Sequence, residues 1–342
     1  MLLLRRWLFP LFAFTVLGCD PGPGGGSPPE KGGKVHLIAV IPKGTTHNFW
    51  NQIHAGAIQA EREINARGAL QVKVEWKGPS KEDDRDQQIQ VVQNFISARV
   101  SGIVLAPLDR VALVPPVAAA TAAGIPVVIF DSGLDGEAGK DFVAYVATDN
   151  YNGGVLAARR LGQVLGGKGK VILLRYQAGS ESTMQRESGF LDTIGKELPG
   201  LRVLSKDLHA GPTSETAHKT SENLLTRYRD EVEGIFAANE SSTFGMLLAL
   251  QGAGLARKVK FVGFDSSEAL MKAMRDGELH GLVLQNPIRM ASLAVKAMAA
   301  RLEGKPVETR TDTGAVVVTP ENMDEPEMKL LHSPDLSEWL GK

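Results

Sequence analysis

Three apolar, β-branched segments occur twice in this chain, in the same order. VHLIAVIPK (35–43), SGIVLAPLD (101–109) and IPVVIFDSG (125–133) are answered by GKVILLRYQ (169–177), EGIFAANES (233–241) and VKFVGFDSS (259–267). Short apolar runs of this kind, alternating with stretches at helical spacing, are the pattern of strands buried on both faces of a parallel sheet. The duplication therefore predicts an α/β protein of two similar Rossmann-like lobes. Parallel strands bring their C-terminal ends to one side, so two facing lobes enclose a single polar cleft. The residues carried to that side are Lys43, Asp109 and Asp131 in the first lobe, and Asn239 and Asp265 in the second.

The first strand, its loop and the next helix set the template. An apolar run at 35–41 leads through a polar loop holding Lys43, His47 and Asn48 into a helix whose Trp50, Ile53, Ala57, Ala60 and Ile64 share one face. Asn48 is expected to cap that helix and Gly68 to end it. In order, strands are expected at 72–76, 102–106, 126–130 and 145–148, with helices at 86–100, 113–123 and 152–165. The second series places strands at 170–175, 202–207, 234–237 and 260–264, with helices at 184–197, 214–228 and 242–251. A strand at 281–284, a helix at 289–303 and a strand at 315–318 precede a polar tail, expected to pack on a lobe through Trp339 and Leu340.

At 342 residues the chain exceeds one ordinary core. Its 38 basic and 39 acidic residues leave no excess that would favour nucleic acid, so binding must come from local sites. Arg5 and Arg6 precede an apolar run at 7–17 that is too short to span a bilayer comfortably and ends in VLGC at 16–19. This resembles a bacterial lipoprotein signal at 1–18, with Cys19 as the lipid attachment site. Cys19 is the only cysteine, which excludes an intramolecular disulfide. The Gly- and Pro-rich stretch 19–33 has no apolar periodicity and reads as a flexible tether.

From residue 34 to 318 an ordered series of motifs resembles the periplasmic sugar-binding proteins of ABC transporters, ribose-binding type, which are related to the ligand-binding part of lactose-repressor-type regulators. The motifs are NFW (48–50), GIVLAPLD, AAGIPVVIFDSG, VATDNYNGG (146–154), GGKGKVILL, QRESGF (185–190), GIFAANE, FVGFDSSEAL and LQNP (284–287). The resemblance implies a type I periplasmic binding fold with three hinge crossings near 149–150, 285–286 and 313–314. It places 34–148 plus 287–312 in the first lobe and 149–286 plus 313–342 in the second.

The same resemblance implies a ligand site. Asp131 and Asp265 match the family's two sugar-binding aspartates, one per lobe; an aspartate after a buried strand also serves simply to cap a turn. Asn239 and Gln285 match a binding asparagine and glutamine, whose amides suit hydroxyls that both donate and accept. Phe49 and Trp50 match the aromatic pair that packs on sugar faces, although Trp50 also falls on its helix's core stripe. His47 falls where the family carries a binding asparagine. Ser132 and, by alignment, Met184 stand where the ribose site has arginines, so both arginines are expected to be absent; Arg186, two residues on, is a candidate to compensate, with solvent or the lobe core as its expected direction. The loop 208–215 offers no match for the family's second-lobe aromatic contact. Lys43, with IPK, KGPS (77–80) and FDSG, is similar to the autoinducer-2-binding subgroup; a lysine there suits a carboxylate, a phosphate or a cluster of hydroxyls.

No positive signal for catalysis accompanies this. The seven histidines lack HExxH spacing, and no GxSxG or GxxxxGK[ST] run occurs. Glu82, Asp83, Asp84 and Asp86 lack the calcium-loop pattern and are expected to cap the next helix. The expectation is a monomeric, lipid-anchored solute-binding protein of the cell envelope without cofactor or metal, delivering a small sugar or polyol to a transporter permease. A sensor feeding a chemoreceptor is the alternative, and a carbohydrate-active enzyme a more distant one.

Overall fold

The computed structural model describes residues 34–341. The leader, Cys19 and the tether at 1–33 lie outside the described residues. The first lobe starts with β1 (Val35–Ile41), α1 (Asn48–Arg67), β2 (Gln71–Trp76), α2 (Arg85–Ser97), β3 (Gly102–Leu105), α3 (Val114–Ala122), β4 (Val127–Phe130) and β5 (Ala144–Ala147). The second contains α4 (Asn150–Val164), β6 (Gly169–Leu174), α5 (Glu181–Glu197), β7 (Leu201–Ser205), α6 (Ser214–Tyr228), β8 (Gly234–Ala237), α7 (Glu240–Gly252), β9 (Lys260–Phe264), α8 (Glu268–Arg275) and β10 (Gly281–Leu284). The chain then returns to the first lobe for α9 (Pro287–Leu302) and β11 (Arg310–Asp312). It crosses once more for β12 (Val316–Val318) and finishes with α10 (Pro326–His332) and α11 (Ser337–Leu340).

Each lobe is a six-stranded sheet, ordered β2-β1-β3-β4-β5-β11 in the first and β7-β6-β8-β9-β10-β12 in the second. The shared order is the structural form of the sequence repeat. The first sheet is parallel throughout, and in the second only β12 runs antiparallel, against β10. Every residue of β3, β4, β8 and β10 is buried, which is why these strands read as unbroken apolar runs.

Helices cover both faces of both sheets. In the first lobe, Ile53 and Ala57 of α1 pack with Met290 and Val295 of α9 on one face, and Val92, Phe95 and Val117 from α2 and α3 pack on the other. In the second lobe, Ala157, Leu161 and Phe190 from α4 and α5 cover one face, and Leu224, Met246, Leu250 and Met271 from α6, α7 and α8 the other. The α4–α5 contact is backbone on backbone. A Cβ on Gly154 would lie 1.9 Å from the Arg186 carbonyl oxygen, and one on Gly189 would lie 2.1 Å from that of Tyr151. Only glycine permits that approach.

Several local expectations are corrected. His47, not Asn48, occupies the cap position of α1 in extended conformation, and it makes no side-chain cap bond. Gly68 ends that helix at φ 74°, in agreement with its position. α5 begins at Glu181, three residues before the expected 184, and α8 and β11 have no counterpart among the expected elements. The tail does pack on a lobe: Arg62 of α1 lies 4.9 Å over the Trp339 ring and donates to the Glu338 carbonyl at 3.2 Å. Among the described residues no helix is long and apolar enough to cross a membrane.

Candidate ligand-binding site

The C-terminal ends of β1, β4, β8, β9 and β10 converge on one cavity of about 40 Å³. That is well below the roughly 300–1,000 Å³ of small-molecule sites, so the two walls stand close together. Lys43, His47, Phe49, Trp50, Asp131, Asn239, Asp265 and Gln285 all line it, so the eight side chains singled out from sequence are brought together. Glu82, Tyr176, Ser182, Thr183, Arg186 and Glu240 complete its wall.

Asp131 and Asp265 are built alike. Each follows a strand whose last four residues are buried, at φ 62° and 61° respectively. Each donates its backbone N–H to a neighbouring strand, Asp131 to Val146 at 3.1 Å and Asp265 to Val283 at 2.9 Å. The left-handed backbone costs on the order of 1 kcal/mol at each site, and Asp is among the few non-glycine residues that adopt it readily. The carboxylates are therefore held at matching positions on the two lobes. Asp109 is not part of this set: it accepts from the Val111 and Ala112 amides and pairs with Arg85 at 3.0 Å.

Lys43 is buried, and its ammonium is already committed. Its Nζ lies 3.1 Å from Asp131 Oδ2 and donates across the cleft to Ser182 Oγ at 3.1 Å and Ser180 Oγ at 3.3 Å. Asp265 accepts from Gln285 Nε2 at 2.8 Å and lies 3.9 Å from Arg186. Burial raises the Asp265 pKa, with Arg186 and the Gln285 bond acting against it. Gln285 Oε1 is buried with no hydrogen-bond partner. Asn239 is both cap and cavity wall: its Oδ1 accepts from Ser242 N–H at 3.3 Å and its Nδ2 donates to Ser241 Oγ at 3.1 Å.

Arg186 does not face solvent: it is buried and lines the cavity, the compensating position. It falls on the buried face of α5, with Phe190 and Ile194. There its guanidinium stacks 3.7 Å over the Phe264 ring and donates to Asn150 Oδ1 at 2.9 Å and the Ala238 carbonyl at 3.1 Å. An arginine is thus present in the second-lobe wall, although none follows Asp131. Burial lowers its pKa, and Asp265 and Asp131 act in the opposite direction.

Glu82 departs from the helix-capping role expected of its acidic cluster. Asp84 does cap α2 by accepting from Gln87 N–H at 2.8 Å, but Glu82 turns inward. It accepts from Trp50 Nε1 at 2.7 Å and from Tyr176 OH at 2.6 Å, and pairs with His47 Nδ1 at 2.7 Å. Burial alone would raise its pKa. The His47 bond and charge, Lys43 and Tyr176 outweigh that and hold it at about 2. His47 is raised in turn: burial lowers it, and the Glu82 bond and charge together with the charges of Glu240 and Asp265 outweigh that. Phe49 meets Trp50 edge to face at 5.0 Å between centroids, so the aromatic pair is fixed from behind by a carboxylate. Tyr176, after β6, places an aromatic ring in the second-lobe wall of the cavity.

Glu240 is the remaining carboxylate. It accepts from Phe49 N–H at 3.4 Å across the cleft, and burial raises it to about 7, with the His47 charge lowering it and Asp265 raising it. The site thus offers four carboxylates, and Lys43, Arg186 and His47 each already face one of them.

Residues 38–306 match the periplasmic binding protein domain model. The chain is 29% identical over 300 residues to the ribose import binding protein of Bacillus subtilis (strain 168), covering 87% of this chain and 92% of that one. A solved carbohydrate-transporter solute-binding protein from Agrobacterium radiobacter, in complex with D-arabinose, superposes with a TM-score of 0.81 at 33% identity, over 86% of this chain and 98% of that one. An ABC-transporter solute-binding protein from Agrobacterium vitis with bound D-fucose gives 0.80 at 35% identity, over 86% and 99%. These relatives are binding proteins, not enzymes. With its duplicated parallel sheets, its interlobe cavity and a family match over most of its length, the chain belongs to the periplasmic binding protein family.

Proposed function

We propose that this protein is an extracytoplasmic solute-binding lipoprotein, anchored through Cys19, that captures a small neutral sugar or polyol between its lobes and delivers it to an ABC-transporter permease. The observation that carries this reading is the pair Asp131 and Asp265, set in the same strand-end geometry on opposite walls of one small cavity. Two facing acceptors suit vicinal hydroxyls, Gln285 Oε1 adds a further buried acceptor, and Phe49 with Trp50 offers an apolar face to a sugar ring. Neutrality follows from the charge inventory: each cation in the wall is committed to a carboxylate, so a sugar acid or phosphate would meet an acidic site without a spare counter-ion.

In this reading the lobes are 34–148 with 287–312 and 149–286 with 313–342, the protein acts as a monomer, and closure around the ligand is the signal the permease recognises. Relatives that bind D-arabinose and D-fucose support a monosaccharide of that size. The test is thermal unfolding of residues 20–342 against pentoses, hexoses, polyols, sugar acids and autoinducer-2. A ligand at a hundred times its dissociation constant adds about 2.7 kcal/mol of stability. A shift with a neutral sugar is the expected result. A shift only with sugar acids, or none with any compound in protein shown by mass spectrometry to carry no ligand, refutes the proposal.

A further inference from the structure

Two helices start at the cleft without a cap of their own. Asp84, Asp149, Thr213, Asn239, Ser267 and Asn286 each cap the helix they precede, whereas α3, α10 and α11 also have no side-chain cap. His47 before α1 and Ser180 before α5 make no such bond. Both side chains are engaged in the cleft instead, His47 with Glu82 and Ser180 with Lys43.

The missing acceptors come from the opposite lobe. Glu240 of the second lobe accepts from Phe49 N–H, the second amide of α1, at 3.4 Å. Ser132 of the first lobe accepts from Ser182 N–H, the second amide of α5, at 3.1 Å. The latter contact is reciprocated: Glu181, the first residue of α5, reaches back to accept from Gly133 N–H at 2.9 Å. That exchange has the logic of a capping box, a hydroxyl on a helix amide and a helix carboxylate on the amide beside the hydroxyl, with its halves on different lobes. Ser132 is fully buried and does not line the ligand cavity.

We propose that the cleft is held shut by reciprocal helix capping, in which Ser132 caps α5 and Glu240 caps α1, so that only the closed arrangement satisfies both helix starts with protein acceptors. Ser132 is then a positioning residue: where the ribose-type site carries an arginine, this chain has a lobe-to-lobe contact. The inference rests on lobe closure as proposed above, but not on the identity of the ligand.

The test reads closure directly. Residues 20–342 carry no cysteine, so Asp86→Cys on α2 and Lys219→Cys on α6, both exposed, can take spin labels on the two lobes. Pulsed-dipolar distances are measured without ligand for the parent chain, Ser132→Ala, Glu240→Ala, the double variant and Glu240→Gln. Losing one to two caps should lower the closed-to-open ratio about 5- to 30-fold. Glu240→Gln keeps an acceptor oxygen and should retain the parent distribution. Where a sugar binds, its dissociation constant should rise by the same factor for Ser132→Ala whichever sugar is used, since the variant acts on closure. A double variant with the parent distribution, a Glu240→Gln that behaves like Glu240→Ala, or a parent with no closed population overturns the proposal. A shift in distances with no sugar bound by any chain would refute the ligand reading and leave this one standing. If Ser132→Ala does not fold, the comparison of Glu240→Ala with Glu240→Gln decides.

Discussion

Tyr176 of the second lobe donates to Glu82 of the first at 2.6 Å, and the same carboxylate holds Trp50 and His47. One buried side chain thus sets the aromatic wall and contacts the opposite lobe. Replacing Glu82 by Gln substitutes a donor for an oxygen among three donors, leaving at least one of them buried and unpaired, which costs about 1–3 kcal/mol. Glu82→Gln should lower stability by that amount in urea unfolding. The His47 pKa followed by NMR should fall, because its largest raising contributions come from Glu82. An unchanged His47 titration would contradict this assignment.

Lys43 is paired with Asp131 inside the protein, so its loss should cost stability before it affects any ligand. Breaking a buried pair by removing one partner costs about 3–5 kcal/mol. Lys43→Met should be destabilised on that scale, and Lys43→Met with Asp131→Asn should recover most of the loss, since no unpaired charge remains. Both variants should bind neutral sugars poorly by titration calorimetry. Retained stability in Lys43→Met would show that the pair is not formed in solution.

Arg186 acts through shape as well as charge. Arg186→Met removes two hydrogen bonds and the cation facing Asp265, and should weaken ligand binding by about 2 kcal/mol or more, roughly 30-fold. Arg186→Lys keeps the charge but not the planar stack on Phe264 or the paired donors, and should recover only part of the affinity. Full recovery by lysine would reduce the role of Arg186 to simple charge.

The two sheets and the strand-end aspartates were legible because buried parallel strands are continuous apolar runs, and the residues just after them are carried to the cleft. Lys43, Asp131, Asn239, Asp265 and Gln285 all lie within two residues of such an end. Glu82 was not legible. It sits in a loop without periodicity, beside acids that do cap a helix, and only the fold shows His47, Trp50 and Tyr176 converging on it. Arg186 is harder to place because a charged side chain on a helix ordinarily faces water, yet it shares the buried face of Phe190 and Ile194, four and eight residues on. The trans-lobe caps leave no sequence signature, because each acceptor lies far along the chain from the helix it serves.

Glu240 gives the closed site a pH dependence of definite sign. His47, Phe49 N–H, Asp265 and Glu82 surround it there, and it holds its proton up to about 7, against 4.5 for an ordinary glutamate. A raised carboxyl favours the closed form fully below the ordinary value, and that contribution is lost as pH rises through about 7. The raised His47 acts in the same direction above its ordinary value of 6.5. Ligand affinity should therefore fall between pH 5.5 and pH 8, and Glu240→Gln should remove most of that slope. A parent chain with flat affinity across this range would contradict the placement of Glu240.

The α4–α5 contact supplies a test of how far the site depends on helix packing. A methyl on Gly154 would lie 1.9 Å from the Arg186 carbonyl oxygen, and backbone cannot yield as a side-chain tip can. The helices would have to separate, moving Arg186 away from Asn150 and Asp265, which require it within hydrogen-bond or ion-pair range. Gly154→Ala should cost about 1–3 kcal/mol by overpacking and should weaken ligand binding although residue 154 does not line the cavity. Gly195, also on α5, has nothing within 4 Å of where its Cβ would be. Gly195→Ala should instead stabilise by about 0.5–1 kcal/mol, as alanine does in an open helix interior, with affinity unchanged. Opposite signs from the same substitution would locate the effect in the helix contact; a neutral Gly154→Ala would mean the helices are not in backbone contact in solution.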